Sequence, residues 1–337
     1  MDSNLNQSNN SEGFTNYKNL NISENPLSTD FGVLLISHGS SLPYAEEIFK
    51  DILEKYISLT GHNAEVGYMK VAKPSISEAI DNLLDRNNNI KRIIAMPVFL
   101  APGIHTNIDI PIILGLEPKE TDPRCPDGNY PEDHYLMESK PINFDGEINL
   151  IGCIGPDPQI INVINKKIES TVFESNKDVS ADKTGVLLVS HGSRLNYNRE
   201  FITDIYNQYK SQTDYSVSQG FMELCEPTIA QSINTMLESK DLDRIIVVPV
   251  FLAPGVHTKR DIPTILGILE DEDINSTHFS NDHSHSHTHS HDHSHAQSHD
   301  HAHGGLVEFD GEILYTEPLG SDDVIIEILK NRIESNI

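Results

Sequence analysis

Val98-Phe-Leu-Ala-Pro-Gly-Ile-His105-Thr-Asn-Ile-Asp-Ile-Pro-Ile-Ile-Leu-Gly115 is written twice in this chain. It returns as Val250-Phe-Leu-Ala-Pro-Gly-Val-His257-Thr-Lys-Arg-Asp-Ile-Pro-Thr-Ile-Leu-Gly267, and 14 of the 18 positions are identical. A second pair lies upstream at nearly the same offset, Val33-Leu-Leu-Ile-Ser-His38-Gly-Ser and Val186-Leu-Leu-Val-Ser-His191-Gly-Ser. The chain is a tandem duplication, and each half carries one histidine just after an apolar run and another well downstream. A short continuous apolar run bounded by turn residues reads as a strand buried on both faces, the habit of parallel sheets.

Working outward, the first half reads as strand 32–37, strand 64–71, helix 75–85, strand 92–100, a loop with His105, helix 107–116, strand 147–154 and helix 157–170. A helix also follows His38, with Ser41 as N-cap and Pro43 in its first turn. The second half repeats the order: strand 185–190, helix 197–210, strand 216–224, helix 228–238, strand 244–252, helix 259–269, strand 312–318 and helix 322–334. Strands alternating with helices imply right-handed crossovers and a parallel sheet covered on both faces. The expected fold class is therefore α/β, two tandem flavodoxin-like domains, each a four-stranded parallel sheet flanked by helices. Expected boundaries are 31–173 for the first domain, 174–183 for a linker and 184–337 for the second. In such sheets ligands bind beyond the carboxyl ends of the strands. Both histidines of each half fall there, and all four are expected to face a common cleft.

Residues 1–30 are rich in Asn and Ser with little apolar content, and are expected to stay disordered. The halves differ most between the third helix and the last strand. There the first half has a Pro- and acid-rich loop, 117–143, and the second has 278–303, which holds 11 of the 17 histidines. That composition cannot build a core and predicts a mobile loop rich in interchangeable metal ligands.

At 337 residues the chain can bury two ordinary cores. A net charge of −27 argues against nucleic acid and against anionic membrane surfaces as partners. Cys125, Cys153 and Cys225 share no close spacing, so neither a disulfide framework nor a Cys-type zinc site is indicated, and a cytoplasmic location fits. No apolar run approaches the ~18 residues of a membrane span. The N-terminus shows neither the basic nor the apolar region of a signal peptide.

Two imidazoles meeting at the top of a sheet suit a borderline divalent ion such as cobalt, nickel, zinc or ferrous iron, and can also accept protons near neutral pH. Taken singly, each is as well read as a loop histidine bonded to backbone; recurrence of both in the same context favours the metal. Gly39, Gly103, Gly192 and Gly255 read as turn residues. After the second strand the halves diverge: Met222-Glu223-Leu-Cys225-Glu226-Pro against Met69-Lys70-Val-Ala72-Lys73-Pro. Glu223 and Glu226 read equally as oxygen ligands or as solvated carboxylates, and Cys225 as a packing residue. Gly-x-Ser-x-Gly, Gly-x-Gly-x-x-Gly and Walker-type loops are absent, so Ser40 and Ser193 are not nucleophiles and nucleotide binding has no support.

Together, Ser-His191-Gly-Ser-Arg194, Met-Glu223-Leu-Cys-Glu226-Pro, Pro-Val-Phe-Leu-Ala-Pro-Gly-Val-His257-Thr-Lys-Arg-Asp-Ile-Pro, the His-rich loop and Glu317-Pro-Leu-Gly-Ser-Asp-Asp resemble the class II chelatases of tetrapyrrole biosynthesis. The likeness is to the sirohydrochlorin cobaltochelatases and their nickel-inserting relatives, and it spans nearly all of 31–337. The chain is similar to two short archaeal forms fused, a pseudo-dimer in one chain that can act as a monomer. The resemblance implies a lyase-class metal chelatase inserting cobalt or nickel into sirohydrochlorin, toward cobalamin or coenzyme F430, with the metal as substrate and no prosthetic group. It also implies His191 and His38 as catalytic residues. His191, His257, His38, His105, Glu223 and Glu226 would hold the metal, and Arg194, Lys259, Arg260, Lys70 and Lys73 the carboxylate-rich macrocycle. The first half departs from the family pattern at Ser41, Lys70 and Lys73, which predicts that the second half carries the metal. A metal storage or delivery protein is the non-enzymatic alternative.

Overall fold

The computed structural model describes residues 30–40, 43–193, 196–269 and 307–337. The expectations for the N-terminal segment, for Ser41, for Arg194 and for the His-rich loop 278–303 fall outside the described residues.

Two four-stranded, all-parallel sheets form. In the first, β1 (Phe31–Ser37), β2 (Ala64–Tyr68), β3 (Arg92–Pro97) and β4 (Glu147–Leu150) lie in the order β2-β1-β3-β4. In the second, β5 (Thr184–Ser190), β6 (Ser216–Phe221), β7 (Arg244–Pro249) and β8 (Glu312–Tyr315) repeat it as β6-β5-β7-β8. The helices are α1 (Pro43–Thr60), α2 (Ile76–Arg86), α3 (Ile110–Ile113), α4 (Ile160–Glu174), α5 (Asn196–Lys210), α6 (Ile229–Ser239), α7 (Ile262–Ile265) and α8 (Asp323–Glu334). Helix α2 starts at a capping box, Ser75 with Glu78, and α6 repeats it with Thr228 and Gln231.

The unbroken apolar run of β1 is explained by its two covered faces. Val33 and Leu35 point into one core, while Leu34 and Ile36 point into another beneath α2 and α3. In the second half, Val186 and Leu188 share the first of these cores, and Leu187 and Val189 face α6 and α7. One large central core is therefore common to both halves, built from the inner faces of both sheets and from α1, α4, α5 and α8.

The closing helices of the two halves cross over. Helix α4 packs on α5, β7 and β8 of the second sheet, and α8 packs on α1 and on α4. Arg332 of α8 donates to the carbonyls of Cys153 at 2.6 Å and Pro156 at 3.1 Å, at the end of the first sheet. Ser175, just after α4, donates to Glu312 of β8 at 2.8 Å. Each half thus completes the other.

Strands β2 and β6 stop three residues short of their expected ends. Met69 and Lys70 still donate to the carbonyls of Ser37 and His38, as Met222 and Glu223 do to Ser190 and His191. The backbone then reverses at Val71 and Leu224, where φ is +68° and +62°. His105 and His257 do not lie on loops as the sequence suggests. Each opens a π-helical turn, 105–109 and 257–261, that runs into α3 or α7. Such turns recur at functional sites, where the extra residue re-aims a side chain.

Candidate metal-binding site

At the carboxyl end of the second sheet, the loop after β5 carries His191 and the π-helical turn carries His257. Their Nε2 atoms stand 3.2 Å apart. Two imidazole ligands at ~2.1 Å from one ion, separated by about 90–109°, have nitrogens about 3.0–3.4 Å apart. The pair is therefore spaced as two neighbouring ligands of a single ion.

Both rings are oriented from behind. His191 meets the carbonyl of Gly192 through Nδ1 at 3.1 Å, and His257 meets Asp261 Oδ2 through Nδ1 at 2.8 Å. A carboxylate on the far ring nitrogen fixes the tautomer that leaves Nε2 free for a metal. Burial alone would raise the Asp261 carboxyl, but His257 and Arg260 hold it below the ordinary carboxylate range. Asn198 braces the other ring's loop, accepting from Ser190 Oγ at 3.0 Å and from the Gly192 amide at 3.2 Å. Cys225 packs there too, its thiol donating to the Ser193 carbonyl at 2.9 Å.

The first half repeats the edge-to-face pairing of the rings with different neighbours. His38 and His105 meet edge to face with ring centroids 4.9 Å apart. Nδ1 of His38 lies 2.8 Å from the Gly39 carbonyl, and Nδ1 of His105 lies 2.5 Å from Asp109 Oδ2. Asp109 is fully buried and also accepts from Arg124 and Tyr135, both in the 117–143 insert. Arg124 continues to Asp122, which accepts from Tyr130 at 2.8 Å. The insert is thus wired to the back of His105.

Where the second half has Glu223, whose Oε1 lies 3.5 Å from His191 Nε2, the first has Lys70. The Lys70 ammonium sits 4.9 Å above the Tyr135 ring, and burial lowers its pKa against the pull of Asp109. Burial, joined by Lys70, pushes the His38 imidazolium down to about 4 from its ordinary 6.5. Its folded value lies below its unfolded one, so between these two pH values the unfolded chain binds more protons. The stabilisation is complete above pH 6.5 and is lost as the pH falls toward 4. Thermal midpoints measured from pH 7 to 4.5 should therefore fall less steeply for His38→Gln than for the unaltered chain.

The remaining candidates are distributed unevenly. Glu226 is exposed and, among the described contacts, meets neither histidine. Lys73 is committed to Glu78 at 2.9 Å, Lys259 to Glu317 at 3.1 Å, and Arg260 to Asp261 at 2.9 Å. Among the described residues no group of three or more His, Cys, Asp or Glu gathers in metal-holding geometry. Each pair supplies two nitrogens and leaves an ion's other positions to water or an incoming ligand, which suits transfer rather than a closed structural site. Asp109 and Asp261 were not among the residues read from the sequence. Their signal is His-x-x-x-Asp in both copies, a spacing that puts the two side chains on one helical face.

The two site loops border the central core through Leu100, Ala101, Leu252 and Ala253. Beside them the halves touch: Glu120 of the insert accepts from Asn107 at 3.0 Å and, across the boundary, from Tyr197 at 3.0 Å.

The chain matches known proteins in sequence and in fold. The model of the CbiX family matches residues 32–171 and again 185–336. A sirohydrochlorin cobaltochelatase of Methanothermobacter thermautotrophicus is 45% identical over 155 residues, covering 46% of this chain and 94% of its own length. One from Methanocaldococcus jannaschii is 49% identical over 148 residues, covering 44% and 95%. Among solved structures, SirB from Bacillus subtilis with Fe3+ superposes with a TM-score of 0.58 at 15% identity, covering 90% of this chain and 94% of that one. That likeness shows the fold alone.

Proposed function

This chain belongs to the CbiX family, whose domain it carries twice, and on that premise we propose that it is a chelatase inserting a divalent metal, cobalt or nickel, into sirohydrochlorin. The observation that carries the reading is the His191–His257 pair, with nitrogens 3.2 Å apart and Asp261 behind. Relatives that each match about half of this chain are named sirohydrochlorin cobaltochelatase, which supports the substrate. Cobalamin or coenzyme F430 synthesis would use the product.

Insertion exchanges two inner N–H protons of the macrocycle for one dication, so charge balances and neither nucleotide nor redox partner is required. On this reading His191 and His257 deliver the ion to a macrocycle lying in a cleft between the halves. Glu223 helps hold the ion beside His191, and His105, backed by Asp109 with the neutral His38 beside it, takes up the released protons. Lys70, half-buried and without a carboxylate bonded to it among the described residues, faces the substrate's carboxylates. Lys73, Lys259 and Arg260 already have carboxylate partners and contribute less, and Glu226 is a poorer ligand than Glu223. No helix among the described residues is long and apolar enough to cross a membrane, and we place the enzyme in the cytoplasm as a monomer.

The test is to mix the protein with metal-free sirohydrochlorin and Co2+ and follow the absorbance spectrum. A chelatase shifts the macrocycle bands catalytically. A storage or delivery protein, the alternative favoured by the 11 histidines of 278–303, binds the metal and leaves those bands unchanged. Deleting 278–303 should lower the rate at limiting Co2+ and leave it nearly intact at saturating Co2+, as kinetics over a cobalt series would check.

A further inference from the structure

Val71 and Leu224 hold equivalent places in the two halves and break the same two rules. Each has a left-handed φ, +68° and +62°, and they are the only non-glycine residues with positive φ among those described. Side chains avoid this region, and a β-branched valine avoids it most. Each also turns a large apolar side chain to the surface, 69% and 53% exposed.

The strain has a visible origin. The Ala72 amide donates to the Lys70 carbonyl at 2.8 Å, and the Cys225 amide to the Glu223 carbonyl at 2.8 Å. These are three-residue turns centred on Val71 and Leu224, in the rarer hand. Both are clamped to the histidine loops. Lys70 donates to the His38 carbonyl at 3.2 Å and Glu223 to the His191 carbonyl at 3.1 Å. A Cβ on Gly39 or Gly192 would come within 1.9 Å of the Lys70 or Glu223 carbonyl oxygen. The clamp therefore requires glycine at those two positions. At the turn centres glycine would also relieve the strain, yet valine and leucine stand there with more than half of each exposed.

Strain of this kind persists where the surroundings impose it, and it gathers at ligand sites. We propose that Val71 and Leu224 are apolar rests for the flat face of the macrocycle, one beside each histidine pair. The inference rests on the chelatase reading above and adds to it the residues that grip the substrate. A tetrapyrrole has apolar faces and a charged rim. The turns offer an apolar tip beside Lys70 in one half and beside a metal-holding pair in the other, so face and rim are recognised by adjacent residues.

The test is the double variant Val71→Gly with Leu224→Gly in the full chain, with fluorescence titration of metal-free sirohydrochlorin, Co2+ titration and thermal unfolding. Relief of strain outweighs the added freedom of the unfolded chain, so the unfolding midpoint should rise by about 2 °C or more. Losing both apolar contacts should weaken sirohydrochlorin binding about tenfold or more, with Co2+ affinity unchanged. Val71→Leu with Leu224→Met, which keeps the apolar tips, should bind as the unaltered protein does. Unchanged sirohydrochlorin affinity in the glycine variant overturns the inference alone. So does weaker binding accompanied by a lower unfolding midpoint, the mark of a structural role. An unaltered protein that fails to bind sirohydrochlorin overturns the chelatase reading and this inference with it.

Discussion

His191→Ala combined with His257→Ala should reduce the kcat of metal insertion by more than about a hundredfold, whereas His38→Ala with His105→Ala should cost about tenfold. Loss of a partner behind a metal ligand already costs about 10–100-fold, and removing both imidazoles removes the ligands themselves. The halves are unequal because of one position. Glu223 brings a carboxylate to 3.5 Å from His191, while Lys70 brings an ammonium to the first pair and disfavours a second positive charge on His38. At ~4 Å and an effective dielectric of ~20, two unit charges interact by about 4 kcal/mol, enough to bias where a dication rests. On the proposed reading the first pair takes up protons through His105, backed by Asp109, a role that water can partly replace, while burial and Lys70 keep His38 neutral above about pH 4. Steady-state kinetics on both variants check this. Equal losses would mean that the halves share the metal.

The largest effect on stability is expected away from the site. Arg244 is 2% exposed and fans out to Glu312 at 2.7 Å, Ser175 Oγ at 3.1 Å and the Lys177 carbonyl at 2.7 Å. It joins β7 to β8 and to the segment that follows α4, so it fixes the place where the first half's closing helix leaves the second sheet. Truncation leaves the largely buried Glu312 carboxylate with only the Ser175 hydroxyl, and takes from the Lys177 carbonyl its guanidinium donor. Arg244→Ala should destabilise by about 3–5 kcal/mol, read as a lower urea midpoint at unchanged m-value. Arg244→Lys should recover only part, because an ammonium cannot fork to three partners. A loss below about 1 kcal/mol would show that the crossing segment is held by packing alone.

The fold was legible because the repeat made it so. Strands such as Val33–Ile36 and Val186–Val189, apolar at every position and followed by helical spacing, point to a parallel sheet covered on both faces, and their recurrence supplied the second domain. The exchange of α4 and α8 was not legible. The apolar spacing of Ile160, Ile161, Val163, Ile164 and Ile168 says that a helix has a buried face, but not which sheet receives it. At the site the four histidines were legible as two contexts written twice, and the structure brings them together as two pairs. Asp109 and Asp261 stood inside the quoted repeat as His-x-x-x-Asp, a spacing that pairs the side chains only once 105–109 and 257–261 are known to be helical turns. Lys70 and Lys73 read alike as free cations. Only the fold reveals that Lys73 is spent on Glu78 at a helix start, whereas Lys70 is held over Tyr135. Tyr135 and Arg124 lie in an insert whose composition suggested nothing but a loop.

If the second half carries the metal, a cobalt titration of the chain lacking 278–303 will show it. One tight Co2+ per chain should bind, retained in the His38→Ala/His105→Ala variant and lost in the His191→Ala/His257→Ala variant. Two equal ions per chain, or one ion lost from either variant, would contradict it.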